Sequence, residues 1–97
     1  MDVEFADADL AQLEVSPHSG KWTEPIAKGF RKRMQLIRAA PDERDFYALK
    51  SLHFEKMSGN RKRQHSMRIN DQYRLVIEFR REVDRKVVRI MGIEDYH

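Results

Sequence analysis

Two arginines flank the turn of a hairpin that is predicted in the second half of the sequence. A connection made of Asn70–Gln72 would place Arg68 directly opposite Arg74 on one face of the paired strands. Like charges at opposed positions destabilise a sheet, so this pair indicates an anion bound between them, and a phosphate suits two guanidinium groups. The alternative is that both side chains point into water or form ion pairs with Glu78 and Glu94.

The last four residues bring together several groups that can transfer protons. They are Glu94, Asp95, Tyr96 and His97, and they follow an apolar segment directly. If that segment pairs as a strand beside the hairpin, its end lies near the two arginines. A base, an acid and a charge stabiliser would then share one site, which is what cleavage of a phosphodiester without a metal requires. The alternative is a frayed chain end without a function.

His53 is a further candidate for proton transfer. It lies in the segment LKSLHFEKM, next to the basic stretch Arg61–Arg63. The alternative is a structural or surface histidine, because Leu52 and Phe54 flank it. No metal site is predicted, since the histidines lack the i,i+4 spacing of helical zinc ligands and the chain has no cysteine.

The net charge of +3 is distributed unevenly along the chain. Residues 1–27 carry a balance of −5, whereas residues 28–38 and 50–74 each carry +5. Basic segments suit a polyanion, because neutralising its phosphates releases condensed counterions. The alternative is a solvated helix face and a solvated loop. The basic candidates are Arg31, Lys32, Arg33, Arg61, Lys62 and Arg63.

Length and composition predict a single domain over residues 1–97. Apolar residues make up 40% of the chain and charged residues 36%, which allows a modest core under a charged surface. No apolar run is long enough to span a membrane, and Asp2 and Glu4 are unlike a basic signal-peptide start, so we expect a cytoplasmic protein. The absence of cysteine excludes disulfides and a thiol nucleophile.

The first half of the chain has the patterns of helices. Thr23 as N-cap and Pro25 in the first turn predict the start of a long amphipathic helix, which Pro41 ends. Its apolar face consists of Ile26, Phe30, Met34 and Ile37. We expect a short strand at residues 3–5, a lesser helix at 6–13, a loop at 16–20 and one or two helical turns within 42–49.

The second half alternates apolar and polar residues, as strands do. Residues 65–69 and 73–79 form the predicted hairpin, and a third strand follows at 86–93. The three-residue connection is favoured because it puts Met67 opposite Leu75 on one apolar face. Helices followed by a strand meander predict an α+β domain, with N-terminal helices packed on a small, mainly antiparallel sheet.

Three segments in this order resemble one family of proteins. They are LKSLHFEKMSG, HSMRINDQYRLVIEF and GIEDYH, and the likeness extends over residues 23–97. The chain resembles the HigB toxins, also called plasmid maintenance killer proteins, of the RelE/ParE superfamily. The combination of RINDQYR with EDYH is the specific part, whereas the helical part would identify nothing by itself.

The resemblance implies a compact microbial-RNase-like fold, also called RelE-like, and ribosome-dependent cleavage of mRNA in the A site. The ribose 2′-hydroxyl would attack the adjacent phosphorus, without a cofactor. Arg68 and Arg74 would stabilise the pentacoordinate phosphate. The positions tied to activity in the family correspond here to His53, Asp95, Tyr96 and His97, which become candidates for proton transfer and orientation, with acid and base unassigned.

The resemblance also implies partners. The basic segments around Arg31–Arg33 and Arg61–Arg63 would hold ribosomal RNA and message on the 70S ribosome. A HigA-type antitoxin, a helix-turn-helix protein, would bind and silence the toxin in a hetero-oligomeric complex. Two alternatives stay open: a ParE-like toxin that inhibits gyrase without catalysis, and a plain nucleic-acid-binding module. The acidic segment before residue 20 would contact the antitoxin or only pack.

Overall fold

Five β-strands form one mixed sheet, with α-helices as a second layer, in a computed structural model that describes residues 1–16, 18, 20–61 and 63–95. The strands are β1 (Asp2–Phe5), β2 (Glu55–Lys56), β3 (Gln64–Arg68), β4 (Tyr73–Arg81) and β5 (Lys86–Asp95). Their order across the sheet is β1-β5-β4-β3-β2. Strand β1 runs parallel to β5, and the other pairs are antiparallel. The predicted α+β class is confirmed.

The hairpin has the predicted register. Met67 pairs with Leu75, and Arg68 pairs with Arg74. Met67 and Leu75 are fully buried and belong to the core beneath the helices. Side chains alternate along a strand, so Arg68 and Arg74 face the other way. The turn is held by the side chain of Asn70, whose Oδ1 accepts hydrogen bonds from the backbone amides of residues 72 and 73 at 2.8 Å each.

Three helices lie in the described residues: α1 (Ala8–Val15), α2 (Glu24–Ala39) and α3 (Arg44–Ala48). The long helix α2 has Thr23 as its N-cap residue and Pro25 in its first turn, as predicted, although the Thr23 side chain makes no capping hydrogen bond. The core is formed by the apolar face of α2, by Leu10 and Leu13 of α1, and by the helix-facing residues of the sheet. The apolar face of α2 consists of Ile26, Ala27, Phe30, Met34 and Ile37.

Helix α2 approaches the end of the hairpin very closely at Gly29. A Cβ atom built on Gly29 would lie 2.7 Å from Cγ2 of Ile69, the residue that follows Arg68. One turn further along α2, Arg33 donates from Nε to the carbonyl oxygen of Arg68 at 2.7 Å, and from Nη2 to that of Ile69 at 3.5 Å. The helix therefore supports the backbone from which Arg68 projects.

Two parts of the sheet differ from the sequence-based description. The strand β1 was expected, but the sequence did not indicate that it pairs in parallel with β5 at the sheet edge. Strand β2 was not expected at all, and it adds to the other edge by pairing Glu55 with Ser66. No helix within the described residues is long and apolar enough to span a membrane.

Candidate functional site

Arg68, Arg74 and Glu94 form a row across three neighbouring strands. Arg74 lies opposite Arg68 on one side and opposite Glu94 on the other, since β4 is the central strand of the three. This row is on the sheet face that points away from the helices. It confirms that the last strand pairs beside the hairpin and ends near both arginines. We refer to Arg68, Arg74 and Glu94 as the arginine row.

Glu94 links the arginine row to the basic loop before β3. Its Oε1 accepts a hydrogen bond from Nη1 of Arg61 at 2.7 Å, Nη2 of Arg61 contacts its other carboxylate oxygen, and Nη2 of Arg74 lies 3.9 Å from Oε1. The hydrogen bonds from Arg61 lower the pKa of the Glu94 carboxyl, and the charges of Arg61 and Arg74 add to this against the effect of burial. Glu94 is therefore ionised at neutral pH.

Arg68 is held by the hairpin turn. Its Nε donates to the carbonyl oxygen of Asn70 at 3.2 Å, and its Nη2 forms an ion pair with Asp71. The Asp71 side chain is 95% exposed, so this ion pair is open to water and to competing anions. The sequence had offered Glu78 and Glu94 as partners of the two arginines. Arg74 does pair with Glu94, whereas Arg68 pairs with the turn.

His53 and Arg68 line the same cavity. This open pocket of about 360 Å³ is bounded by His53, Glu55, Arg68 and Asp71. His53 is exposed, while Leu52 and Phe54 on either side of it are buried in the core. The chain achieves this by a left-handed conformation at His53, with φ of 46°, directly after the 3-10 turn Lys50–Leu52. The two buried neighbours thus fix the position of an exposed imidazole.

Asp95 lies at the end of β5, but on the other side of the sheet. It pairs with Tyr73, whose side chain belongs to the helix-facing side, whereas Glu94 pairs with Arg74. Side chains alternate along a strand, so the Asp95 carboxylate is on the face opposite the arginine row. Tyr96, His97 and Lys62 lie outside the described residues, and their predicted roles stay predictions.

The other basic candidates have different surroundings. Arg31 donates hydrogen bonds to the carbonyl oxygens of Leu13, Ser16 and His18, so its guanidinium group fastens α1 and the following loop to α2. Arg33 is bound to the backbone beside the arginine row, and its burial lowers the pKa of its guanidinium, as does the charge of Arg68. Lys32 and Arg63 are exposed. Arg61 belongs to the site itself through Glu94.

From the sequence, Glu94 was named as a possible ion-pair partner of the arginines and as one acid of the charged tail, but it was not among the predicted catalytic residues. The signal that could have identified it is the strand register, which puts it opposite Arg74. Among the described residues, no group of three or more histidine, aspartate or glutamate side chains is arranged to hold a metal ion. The chemistry available at the arginine row is anion binding by two guanidinium groups next to an exposed imidazole.

Comparisons with known proteins agree with this description. The sequence matches the family described as "RelE-like toxin of type II toxin-antitoxin system HigB" over residues 3–97. A YoeB/ParE toxin from Agrobacterium tumefaciens superposes with a TM-score of 0.63 at 14% identity, with 100% of each chain covered. YafQ from E. coli strain BL21(DE3) superposes with a TM-score of 0.61 at 11% identity, covering 97% of this chain and 91% of that one. The comparison with curated proteins gave no match. The predicted RelE-like fold is confirmed.

Proposed function

The chain belongs to the HigB-like family, the RelE-like toxins of type II toxin–antitoxin systems, and from this membership and the arginine row we propose that it is a ribosome-dependent endoribonuclease. It cleaves mRNA in the A site and thereby stops translation in the cytoplasm. The single observation that supports this most strongly is the opposition of Arg68 and Arg74 on one sheet face. Two like charges are held together there by the register, and a phosphate is the ligand that relieves their repulsion.

The reaction begins with removal of the proton from a ribose 2′-hydroxyl. The resulting oxygen attacks the adjacent phosphorus, and the bond to the 5′-oxygen breaks as that oxygen takes up a proton. The products are a 2′,3′-cyclic phosphate and a free 5′-hydroxyl. The pentacoordinate intermediate carries more negative charge than the starting diester, so Arg68 and Arg74 favour it over the substrate. All these steps use groups of the protein and the substrate.

The ionised Glu94 has a supporting role in this proposal. It lies between Arg61 and Arg74, so it fixes the direction of the Arg74 side chain and offsets part of the repulsion from Arg68. Its lowered pKa makes it a poor acid at neutral pH. Proton transfer is therefore assigned to His53, which lines the cavity beside Arg68, and to Tyr96 or His97, whereas Asp95 lies on the opposite sheet face.

A type II toxin is paired with an antitoxin, and for this chain we propose a HigA-type helix-turn-helix protein in a hetero-oligomeric complex. The site is open, so we propose that the ribosome orients the message. Holding the 2′-hydroxyl in line with the leaving oxygen lowers the activation barrier of the cleavage step substantially. Lys32 and Arg63 are exposed, and they are the remaining described candidates for contacts to RNA from the two basic segments.

Cleavage of mRNA on programmed 70S ribosomes tests the proposal. The intact protein is compared with Arg68→Ala, with Arg74→Ala and with a chain that ends at Asp95. We expect A-site cleavage by the intact protein and a loss of about 100-fold or more in each arginine variant, which is typical of removing one charge-stabilising group. Loss of activity in the shortened chain would assign proton transfer to Tyr96 and His97.

Arg81→Ala is the matched control for the arginine variants. Arg81 is exposed at the end of the same strand, and it forms no ion pair with any residue that the structure describes. It should cleave like the intact protein, and circular dichroism checks that all variants are folded. If the intact protein stops growth without cleaving RNA, the nuclease proposal is wrong and gyrase inhibition becomes the function to test. Unchanged cleavage by Arg74→Ala would contradict the role of the arginine row.

A further inference from the structure

A second basic cavity lies further along the sheet from the arginine row. It measures about 510 Å³ and is lined by Lys56, Arg63, Arg80 and Arg89, by the aromatic rings of His65 and Phe79, and by Glu78. His65 is three residues before Arg68 on β3, so the cavity begins about 10 Å from the arginine row at the usual rise of a strand. We refer to it as the distal basic cavity.

Three of the four cations that line this cavity form no ion pair with the described residues, unlike most arginines of the protein. Arg38, Arg44, Arg61, Arg80 and Arg85 each form an ion pair with an acidic residue. By contrast, Lys56, Arg63 and Arg89 form none with the residues that the structure describes, and all three are exposed. Arg89 lies opposite Glu4 and Glu78 on its neighbouring strands, and these carboxylates offset part of its charge. Cations still outnumber acids in the lining of the cavity, and an anion in that space relieves their mutual repulsion.

The acid at this cavity does not neutralise it. Glu78 is the acidic residue in its lining, and one of its carboxylate oxygens accepts a hydrogen bond from Nε2 of Gln64 at 3.0 Å. Arg80 is paired with Glu4, which belongs to β1 and is not part of the cavity lining. The balance of charge around the cavity is therefore positive.

The aromatic rings in the lining of the cavity indicate which kind of anion it binds. The imidazole of His65 is stacked on Phe54 at 5.1 Å between ring centroids, and its ring centroid lies 5.2 Å from that of Phe79, whose side chain is partly exposed. Sites for single-stranded nucleic acid combine cations, which contact the phosphate backbone, with aromatic side chains, on which the bases stack.

We propose that the distal basic cavity binds the phosphate backbone of single-stranded RNA, with Lys56 and Arg89 as the contacts not identified from the sequence. From the arginine row the RNA follows the outer sheet face to Arg89, and it passes the edge of the sheet to reach Lys56, which pairs with His65 on the helix-facing side. The proposal rests on the proposed nuclease function for the identity of the polymer. The same phosphates are present in message and in ribosomal RNA, so the experiment separates these two sources.

The test uses the double variant Lys56→Gln/Arg89→Gln and the matched control Lys28→Gln/Arg81→Gln. Each loses one lysine and one arginine, and Lys28 and Arg81 are exposed residues outside the cavity. The probe is a fluorescent single-stranded RNA with 2′-O-methyl groups, which binds but cannot be cleaved through a 2′-hydroxyl. Its affinity is measured by anisotropy at several salt concentrations, and the same proteins are tested for binding to 70S ribosomes without message.

We expect the cavity variant to bind the oligonucleotide more weakly, with the slope of log affinity against log salt reduced in magnitude by about 1.4, since two phosphate contacts are lost at about 0.7 each. The control should keep the slope of the intact protein. A change seen only with vacant ribosomes supports the cavity with ribosomal RNA as its ligand. Slopes equal to the control in both measurements would overturn the proposal, as would weakened antitoxin binding without any effect on RNA.

This readout does not depend on cleavage. A protein that fails to cut mRNA but shows the reduced slope keeps the distal basic cavity and loses the nuclease function. A protein that cuts mRNA, and whose cavity variant has unchanged slopes both for the oligonucleotide and for vacant ribosomes, keeps the nuclease function and loses the cavity.

Discussion

The contact between Gly29 and Ile69 predicts that Gly29→Ala destabilises the protein, whereas helix propensity alone predicts that it stabilises. Replacing a glycine inside a helix by alanine ordinarily stabilises by about 1 kcal/mol, because alanine restricts the unfolded chain and favours the helix. In this protein the new Cβ would lie 2.7 Å from Cγ2 of Ile69, which is closer than real Cβ contacts. Ile69 is 7% exposed and branched at Cβ, so it has little freedom to move aside.

The magnitude follows from the two opposing effects. Overpacking of a buried site costs about 1–3 kcal/mol, which exceeds the gain in propensity, so we expect Gly29→Ala to lower the free energy of unfolding by about 1 kcal/mol. Urea denaturation followed by circular dichroism measures this. Gly92→Ala is the control, because a Cβ on Gly92 would meet no atom within 4 Å, and it should be neutral or slightly stabilising.

A double-mutant cycle identifies the clashing atom. Ile69→Leu removes the γ2 methyl group, so Gly29→Ala in that background should regain the stabilisation of about 1 kcal/mol. Ile69→Val keeps both γ carbons, and the destabilisation should persist there. Stabilisation by Gly29→Ala in the intact protein would refute the reasoning. So would an equal cost in the leucine and valine backgrounds.

Two further predictions concern Arg33 and His65. Arg33→Met keeps the aliphatic stem but loses the hydrogen bonds to the carbonyl oxygens of Arg68 and Ile69. We therefore expect a lower kcat for mRNA cleavage and an unchanged KM for programmed ribosomes. A raised KM with an unchanged kcat would show that Arg33 contacts RNA instead. Burial and the charge of Lys56 lower the pKa of His65 below its usual 6.5 against a smaller opposing effect of Glu43, so the unfolded chain binds the proton first. The contribution of the neutral His65 imidazole to the free energy of unfolding is therefore complete above about pH 6.5, and it is lost as the pH falls towards the folded-state pKa. Urea unfolding between pH 7.5 and 5.5 should show this loss in the intact protein but not in His65→Gln. Equal pH dependence in the two proteins would contradict this account.

The features that could be predicted from the sequence are those that burial decides locally. The hairpin register was predictable because only one register puts Met67 and Leu75 on the same buried face, and that choice also sets Arg68 against Arg74. The long helix was predictable because its apolar residues recur with helical spacing, and proline marks both its start and the segment after its end.

The remaining features depend on contacts between distant segments. The pairing of β1 with β5 joins the first residues to the last strand, and no local pattern indicates it. From the sequence Arg33 was one of the cations predicted to contact RNA, with a solvated helix face as the alternative. Helix α2 lies so close to the hairpin that the Arg33 guanidinium instead reaches the backbone carbonyls there. The pairing of Arg61 with Glu94 likewise requires the loop and the last strand to be next to each other. Sequence spacing carries none of this information.

The two arginines that face each other are tolerated in the free protein because each has its own carboxylate. Asp71 of the turn pairs with Arg68, and Glu94 of β5 lies near Arg74. These carboxylates differ, since Asp71 is almost fully exposed while Glu94 is held by two hydrogen bonds from Arg61. An incoming phosphate therefore displaces Asp71 at little cost, because exposed ion pairs contribute at most about 1 kcal/mol, whereas Glu94 stays in place and keeps Arg74 oriented. On the proposed function, Arg68 is the arginine that exchanges its partner for the substrate, and Arg74 is the fixed one.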